Sequence, residues 1–192
     1  MSGDPVRLHQ LLGLVWTAFA VYWLVSAVGM HATKSGEAHA YRFFRIPILA
    51  LTFVFLLTGW LRMGPLAWRF VPDSEVTRGL GFALTLCGIA MAVWARIHLG
   101  RYWSDKVEVK VDHKLIRSGP YAHLRHPIYS GVLLGIAGTA LAIGEWKGVL
   151  AFVILLTNYA MKARKEERLL STQFGEEFEA YKKQSGFLFP RI

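Results

Sequence analysis

Residues Pro127–Met161 read PIYSGVLLGIAGTALAIGEWKGVLAFVILLTNYAM. Charge occurs in this stretch only at Glu145 and Lys147, close to its middle. Each apolar arm is long enough for about four helical turns. Pro127 stands in the first turn of the first arm, where a missing N–H costs little. Gly144–Glu145 leaves a connection so short that the two arms must form an antiparallel helical hairpin. Arg125 and His126 at the start of one arm then emerge on the same face as the residues that follow Met161. Gly131, Gly135, Gly138 and Ala142 recur at spacings of three and four along the first arm. They are either a surface for close helix approach or ordinary small residues of an apolar helix.

Working outward, three further apolar runs precede the hairpin: Leu11–Met30, Ile46–Leu61 and Gly79–Ala95. A bilayer core asks for about 20 mostly apolar residues in a helix. Arg45 and Arg62 can snorkel outward from the ends of the shorter second run. The first run is too long for a signal-peptide core and is expected to remain as an anchor. Composition agrees, with 54% hydrophobic and 18% charged residues, against about 25% charged in an average soluble chain. The expectation is an all-α integral membrane protein of about five transmembrane helices, folded as one domain over 1–192. Residues 1–95 supply three structural spans, and 96–192 carry the remaining two and the functional part. Cys87, the single cysteine, rules out an internal disulfide and is expected to pack as a small hydrophobe.

The formal charge of +9 is unevenly spread. With five spans, 30–45, 96–125 and the tail after Met161 share one side and hold 3, 7 and 7 cations. The other side holds Arg7, Arg62, Arg69, Arg78 and Lys147. The excess places the C-terminus and the large loop in the cytoplasm and the N-terminus outside. Anionic lipid headgroups account for the basic excess without nucleic acid. In the large loop Val107, Val109 and Val111 alternate with charges in a strand-like pattern. In the tail, Leu170, Phe174, Phe178 and Tyr181 recur at helical spacing. That predicts an amphipathic helix on the membrane surface or on the helix ends, with Gly175 placed to break it. Phe187, Leu188 and Phe189 offer a greasy anchor beyond it.

Two polar groups meet at the hairpin's open end. His126 stands at the N-terminal mouth of a helix, where unpaired N–H groups and the helix dipole favour an anion. Arg125 adds donors and Tyr129 a hydroxyl one turn in. The same residues also read as interfacial cations and an aromatic belt. Glu166 and Glu167 can accept hydrogen bonds from the diol of a nucleoside or from an amine. They also read as a solvated helix face with a Lys162–Glu166 pair. The hairpin brings a carboxylate grip and a diol grip together, a combination more specific than either half.

At these residues the chain resembles the isoprenylcysteine carboxyl methyltransferase family, and more distantly the phospholipid methyltransferases. The resemblance rests on HKLIRSGPY (His113–Tyr121), RHPIY (Arg125–Tyr129), EERLL (Glu166–Leu170) and FGEEFEAYKK (Phe174–Lys183), in that order and spacing, over roughly 95–190. It implies a membrane methyltransferase that depends on S-adenosylmethionine, releases S-adenosylhomocysteine and lacks a Rossmann fold. No G-x-G-x-x-G is present. By the resemblance His113, Lys114, Leu115, Ile116, Tyr121, His126, Pro127, Ile128 and Tyr129 line the cofactor site. Glu166 contacts the cofactor, or Glu167 if the register slips by one. The family's substrate-binding arginine falls on Lys162, a departure that leaves Arg164 and Arg125 as the other cations for the substrate head. The implied acceptor is the carboxylate of a prenylated cysteine or a similar lipophilic acid, entering from the bilayer lipids. No metal, nucleic acid or obligate protein partner is implied.

A carboxylate is ionised at neutral pH, so transfer to it needs no general base. The demands are alignment and dehydration. A lipid amine acceptor is the alternative and would need a base, with Glu108 or His123 as candidates. A nicotinamide-dependent membrane reductase is a more distant alternative. Transport would call for ionisable residues within the spans, which are nearly absent.

Overall fold

A computed structural model of the chain describes residues 5–27, 51–56, 64–100 and 115–191. The helices are α1 (Pro5–Ala27), α2 (51–56), α3 (Glu75–Leu99), α4 (Pro127–Ile143), α5 (Trp146–Phe174) and α6 (Glu176–Gln184), with single 3-10 turns at Gly64–Ala67 and Gly119–Ala122. No strand occurs among the described residues, only two isolated bridges. The valine alternation at 107–111, most of the second apolar run and the loop from Met30 to Arg45 lie outside the described residues.

The hairpin forms where its connection requires it. Gly144 takes a left-handed φ of 74° and donates its N–H to Ala140 O at 2.8 Å, closing α4. The segment after the Gly64–Ala67 turn straps the bend. Phe70 N–H donates to Gly144 O at 2.9 Å, and Trp146 N–H to Trp68 O at 3.0 Å. Arg69 Nη1 donates to Ile143 O at 3.1 Å, meeting a carbonyl that the helix end leaves open. Lys147 is fully buried here and pairs with Glu145 at 2.7 Å.

The small residues of α4 are an interface, and the helix that uses them is α3. A Cβ placed on Gly88 would lie 2.2 Å from Gly135 N and 2.5 Å from Gly131 O. One on Gly138 would lie 2.4 Å from Thr85 N. Backbone meets backbone along this seam, which only glycine permits. A polar clasp crosses it: Thr85 and Thr139 hydroxyls are 3.1 Å apart, and Trp16 Nε1 donates to Thr139 Oγ1 at 3.0 Å. Each threonine also returns a bond to a carbonyl four residues back. Among the described residues no buried hydroxyl in this layer lacks a partner. Around the clasp pack Leu12, Trp16, Val132, Ile136, Ala151 and Leu155.

The outward faces are apolar. Leu14, Leu24 and Val25 of α1 and Val76, Leu80 and Ile97 of α3 are all exposed, while Lys147, Lys162 and Arg96 are buried. Cys87 also faces outward and does not join the core as expected. Val6–Ser26 and Glu75–Leu99 are long and apolar enough to cross a membrane. Pro127–Ile143 is apolar but shorter. α3 exceeds the span predicted for it at both ends. Its ends are set by Ser74, whose Oγ accepts the Thr77 N–H at 3.1 Å, and by Gly100 at φ 51°. Arg78 and Arg96 limit the apolar run without ending the helix.

The C-terminal region differs most from expectation. Leu170 and Phe174 belong to α5, which runs unbroken past the apolar arm to Phe174. Gly175, at φ 51°, breaks the chain as anticipated, and α6 folds back. Phe178 and Tyr181 of α6 are buried, and Tyr181 Oη donates to Tyr121 O at 2.5 Å. Leu188 is buried and Phe187 packs on His126. Of the supposed anchor only Phe189 is exposed. The apolar tail finds its partner inside the protein.

Because α3 and α4 touch through their backbones, Gly88→Val must separate them. Overpacking costs typically about 1–3 kcal/mol, more where the neighbour is backbone. We expect a lowered thermal midpoint in detergent, whereas Cys87→Ala, on the exposed side of the same turn, leaves it unchanged.

Candidate active site

The site is the open end of the hairpin, where α4 begins and α5 turns polar. His126 is the N-cap of α4, with φ −127° outside the helical range, and Pro127 follows in the first turn. From α5 come Tyr159, Lys162, Glu166 and Glu167, the first three at the i, i+3, i+7 spacing of one helix face. Tyr129 Oη donates to Glu166 Oε1 at 2.6 Å. Nδ1 of His126 lies 3.5 Å from Glu166 Oε2, and its Nε2 lies 3.4 Å from Glu167 Oε1. That second approach is an ion pair without hydrogen-bond alignment, so His126 Nε2 is a buried nitrogen with no hydrogen-bond partner. Lys162 Nζ is 3.6 Å from Glu166 Oε1 and stands 5.3 Å over the Tyr129 ring.

Rings line the same space. His126 and Tyr129 stack at 5.5 Å with planes 6° apart, and Tyr129 stacks on Tyr159 at 4.9 Å. Phe187 meets the edge of His126 at 5.4 Å. The strap that brings Phe187 in is held by backbone pairing. Arg125 N–H donates to Gly186 O, and Gly186 N–H to His123 O, each at 2.9 Å. Ser130 Oγ donates to Leu188 O at 2.7 Å.

These contacts set the charge states. Burial alone would push His126 down, but the two carboxylates outweigh it and hold the imidazole above its ordinary value of 6.5. Burial would raise Glu166, yet His126, Lys162 and the Tyr129 hydroxyl together hold it below its ordinary 4.5. Glu167 is held low likewise, by His126 and Arg125 against burial. Both carboxylates are therefore ionised near neutrality, and they favour the protonated form of the imidazole between them. Burial pushes the Tyr121 phenol upward, so it stays a neutral donor.

The residues predicted from the sequence divide into five groups. His126, Tyr129, Lys162, Glu166 and Glu167 are brought together. Pro127, Ile128 and Tyr121 lie in the next layer, where Tyr121 and Ile128 pack with Ala95, and Ile116 lies against them. Leu115 is half-buried beside Ile116. His113 and Lys114 lie outside the described residues. Arg164 is exposed; two residues beyond Lys162 on a helix, it points to the opposite side. Arg125 is engaged elsewhere: Nε donates to Glu167 Oε1 at 2.5 Å, and Nη1 donates to the carbonyls of Lys182 and Ser185. It latches the strap to α5. Sequence reasoning missed Tyr159, which shares the Lys162–Glu166 face and could have been found by that spacing. It also missed Phe187, which no local signal ties to His126.

Comparison with known proteins adds likenesses of sequence and fold. Residues 80–172, from α3 through the polar part of α5, match the isoprenylcysteine carboxyl methyltransferase (ICMT) family. A protein-S-isoprenylcysteine O-methyltransferase of Schizosaccharomyces pombe is 28% identical over 184 residues, covering 89% of this chain and 70% of that protein. The cobalt-zinc-cadmium resistance protein CzcN of Cupriavidus metallidurans is 31% identical over 150 residues, covering 77% of this chain and 64% of that one. In three dimensions the chain resembles the eukaryotic intramembrane Ras methyltransferase ICMT with a TM-score of 0.69 at 17% identity, over all of this chain and 70% of that one. The chain is thus similar to the isoprenylcysteine carboxyl methyltransferase family over a segment that contains both halves of the hairpin cluster, and it shares the fold of the solved intramembrane enzyme.

Proposed function

We propose that the chain is an integral membrane methyltransferase that transfers a methyl group from S-adenosylmethionine to the carboxylate of a prenylated cysteine or a similar lipophilic acid. The observation that carries this reading is the Tyr129–Glu166–His126 cluster, which joins both ends of one hairpin at 2.6 Å and 3.5 Å. The activity of the similar Schizosaccharomyces pombe enzyme and the two helices suited to a bilayer support it. A multi-pass topology with about five spans, the N-terminus outside and the site at the cytoplasmic face, follows from the distribution of Lys and Arg.

The residues present fit such a cofactor. Glu166 is a buried, ionised acceptor of the kind a ribose diol requires. His126 Nε2 is a buried polar atom with no hydrogen-bond partner. A carboxylate and the face of Tyr129 flank a position that already holds a cation. When bound, the cofactor supplies an electrophilic methyl group on a sulfonium. The protein's part is then to orient and to exclude water. Glu166, held by Tyr129 and His126, fixes the nucleoside. The strap carrying Phe187 shuts water away from His126. Lys162, the buried cation facing the cluster, aligns the acceptor carboxylate in place of the exposed Arg164 and the engaged Arg125. A lysine offers one point charge where a guanidinium would grip two oxygens. The second acceptor oxygen therefore stays free to attack, which keeps ground-state stabilisation small.

Binding of S-adenosylhomocysteine, followed by calorimetry on the detergent-purified chain, tests the assignment. Losing a hydrogen bond to a charged group costs about 1.5–3 kcal/mol, so Glu166→Ala should weaken binding by about tenfold to a hundredfold. Tyr129→Phe should weaken it less, and Arg164→Ala should leave it unchanged. Equal affinity in the parent and Glu166→Ala would remove Glu166 from the site.

The charge states predict a pH dependence of stability. Glu166 and Glu167 titrate below 4.5 in the folded chain, so their contribution is complete above 4.5 and is lost as pH falls through the lowered values. His126 titrates above 6.5 when folded, so its contribution is complete below 6.5 and is lost as pH rises through the raised value. The thermal midpoint should be highest between these limits and fall on either side. His126→Gln should abolish the fall on the alkaline side; an alkaline limb that persists in this variant would show that another group causes it.

A further inference from the structure

Lys162 is in an unusual place for a lysine. It is 4% exposed, on the first turn of α5 beyond its apolar arm. Its ammonium does not reach outward. It stands 5.3 Å over the Tyr129 ring and 3.6 Å from Glu166 Oε1. Those groups, with His126, are the ones assigned above to the cofactor. A carboxylate beside an aromatic face is a general receptor for a compact cation. A sulfonium that carries a methyl group is such a cation, and it becomes neutral once the methyl has left.

Resting on that reading of the site, we propose that the Lys162 ammonium holds the place of the cofactor's sulfonium in the ligand-free protein, and so tunes the site's preference between the charged cofactor and its neutral product. Two cations cannot share one carboxylate and one ring face without repulsion. The charged cofactor must therefore displace the ammonium or bind beside it, and the neutral product does neither. The displaced ammonium stays on the face from which the acceptor carboxylate is approached. An incoming anion relieves the repulsion that the cofactor created. Lys162 thus couples a cationic cofactor to an anionic acceptor by charge alone. Arg125 cannot substitute, because its guanidinium is tied to Glu167 and to the strap carbonyls.

The test compares two ligands that differ by one methyl group and one charge. Affinities of S-adenosylmethionine and S-adenosylhomocysteine are measured by calorimetry on the full detergent-purified chain, in the parent and in Lys162→Met, Lys162→Gln and Lys162→Arg. Charges about 5 Å apart at an effective dielectric of about 20 interact strongly enough that removing the lysine should shift the affinity ratio by about tenfold or more toward S-adenosylmethionine. Lys162→Arg should keep the parent's ratio. Should Lys162→Met fail to fold, Lys162→Gln, which retains a polar head, gives the same reading. A lysine that only supports the fold would, when replaced, weaken both ligands equally and leave the ratio fixed; that result overturns the proposal. If the parent binds neither ligand, the proposed function falls, and this inference with it.

Discussion

The two-residue connection between α4 and α5 is the constraint from which the site follows. It allows the helices no freedom to slide or to part. His126 stands as far before Gly144–Glu145 as Ala163 stands after it. In an antiparallel pair with equal rise per residue, positions equidistant from the bend lie side by side. The mouth of α4 is thereby set against the stretch of α5 that carries Lys162, Glu166 and Glu167. Long side chains cover the remaining distance, which is why the contacts are 2.6 Å and 3.5 Å and not a general proximity. The bend is itself protected. Arg69, the backbone of Trp68 and Phe70, and the Glu145–Lys147 pair occupy its open polar groups.

Rigidity at the other end of the hairpin comes from a different source. α3 lies so close to α4 that backbone touches backbone at Gly88, Gly131 and Gly135. In an apolar slab no hydrophobic force separates helix from lipid, so close van der Waals contact and satisfied hydroxyls must hold the layer together. The Thr85–Thr139–Trp16 clasp supplies the hydroxyls. With α4 fixed against α3 along its length, its first turn is fixed too. His126 and Tyr129 thereby keep their places against Glu166.

The sequence made the covalently dictated features legible. The hairpin, the shared face of His126 and Glu166, and the break at Gly175 all follow from short spacings. What it could not show were contacts between segments far apart in the chain. The glycine pattern of α4 announced a close approach but not that α3 makes it. Arg125 looked like a substrate cation because its partners, the carbonyls of Lys182 and Ser185, leave no mark on residue type. Phe187 and Leu188 looked like a membrane anchor because hydropathy records a need for apolar surroundings without saying whether lipid or protein provides them. Helix geometry alone sets Arg164 apart. At 100° per residue it cannot share a face with both Lys162 and Glu166.

The C-terminal strap gives these separate pieces a common purpose. The cluster at the hairpin's end gathers charged groups in a place shielded from water, a costly arrangement unless the charges are paired, while the chemistry proposed for it asks that water stay out. Arg125 serves both demands at once. One edge of its guanidinium neutralises Glu167, and another binds the turn that carries Phe187 onto His126. Opening the strap would therefore expose the imidazole and, in the same motion, take from the Arg125 guanidinium the carbonyls that hold it beside Glu167. Water exclusion and charge balance are thus not independent properties of this site. One arginine, placed by the residue order RHP at the start of α4, fixes both.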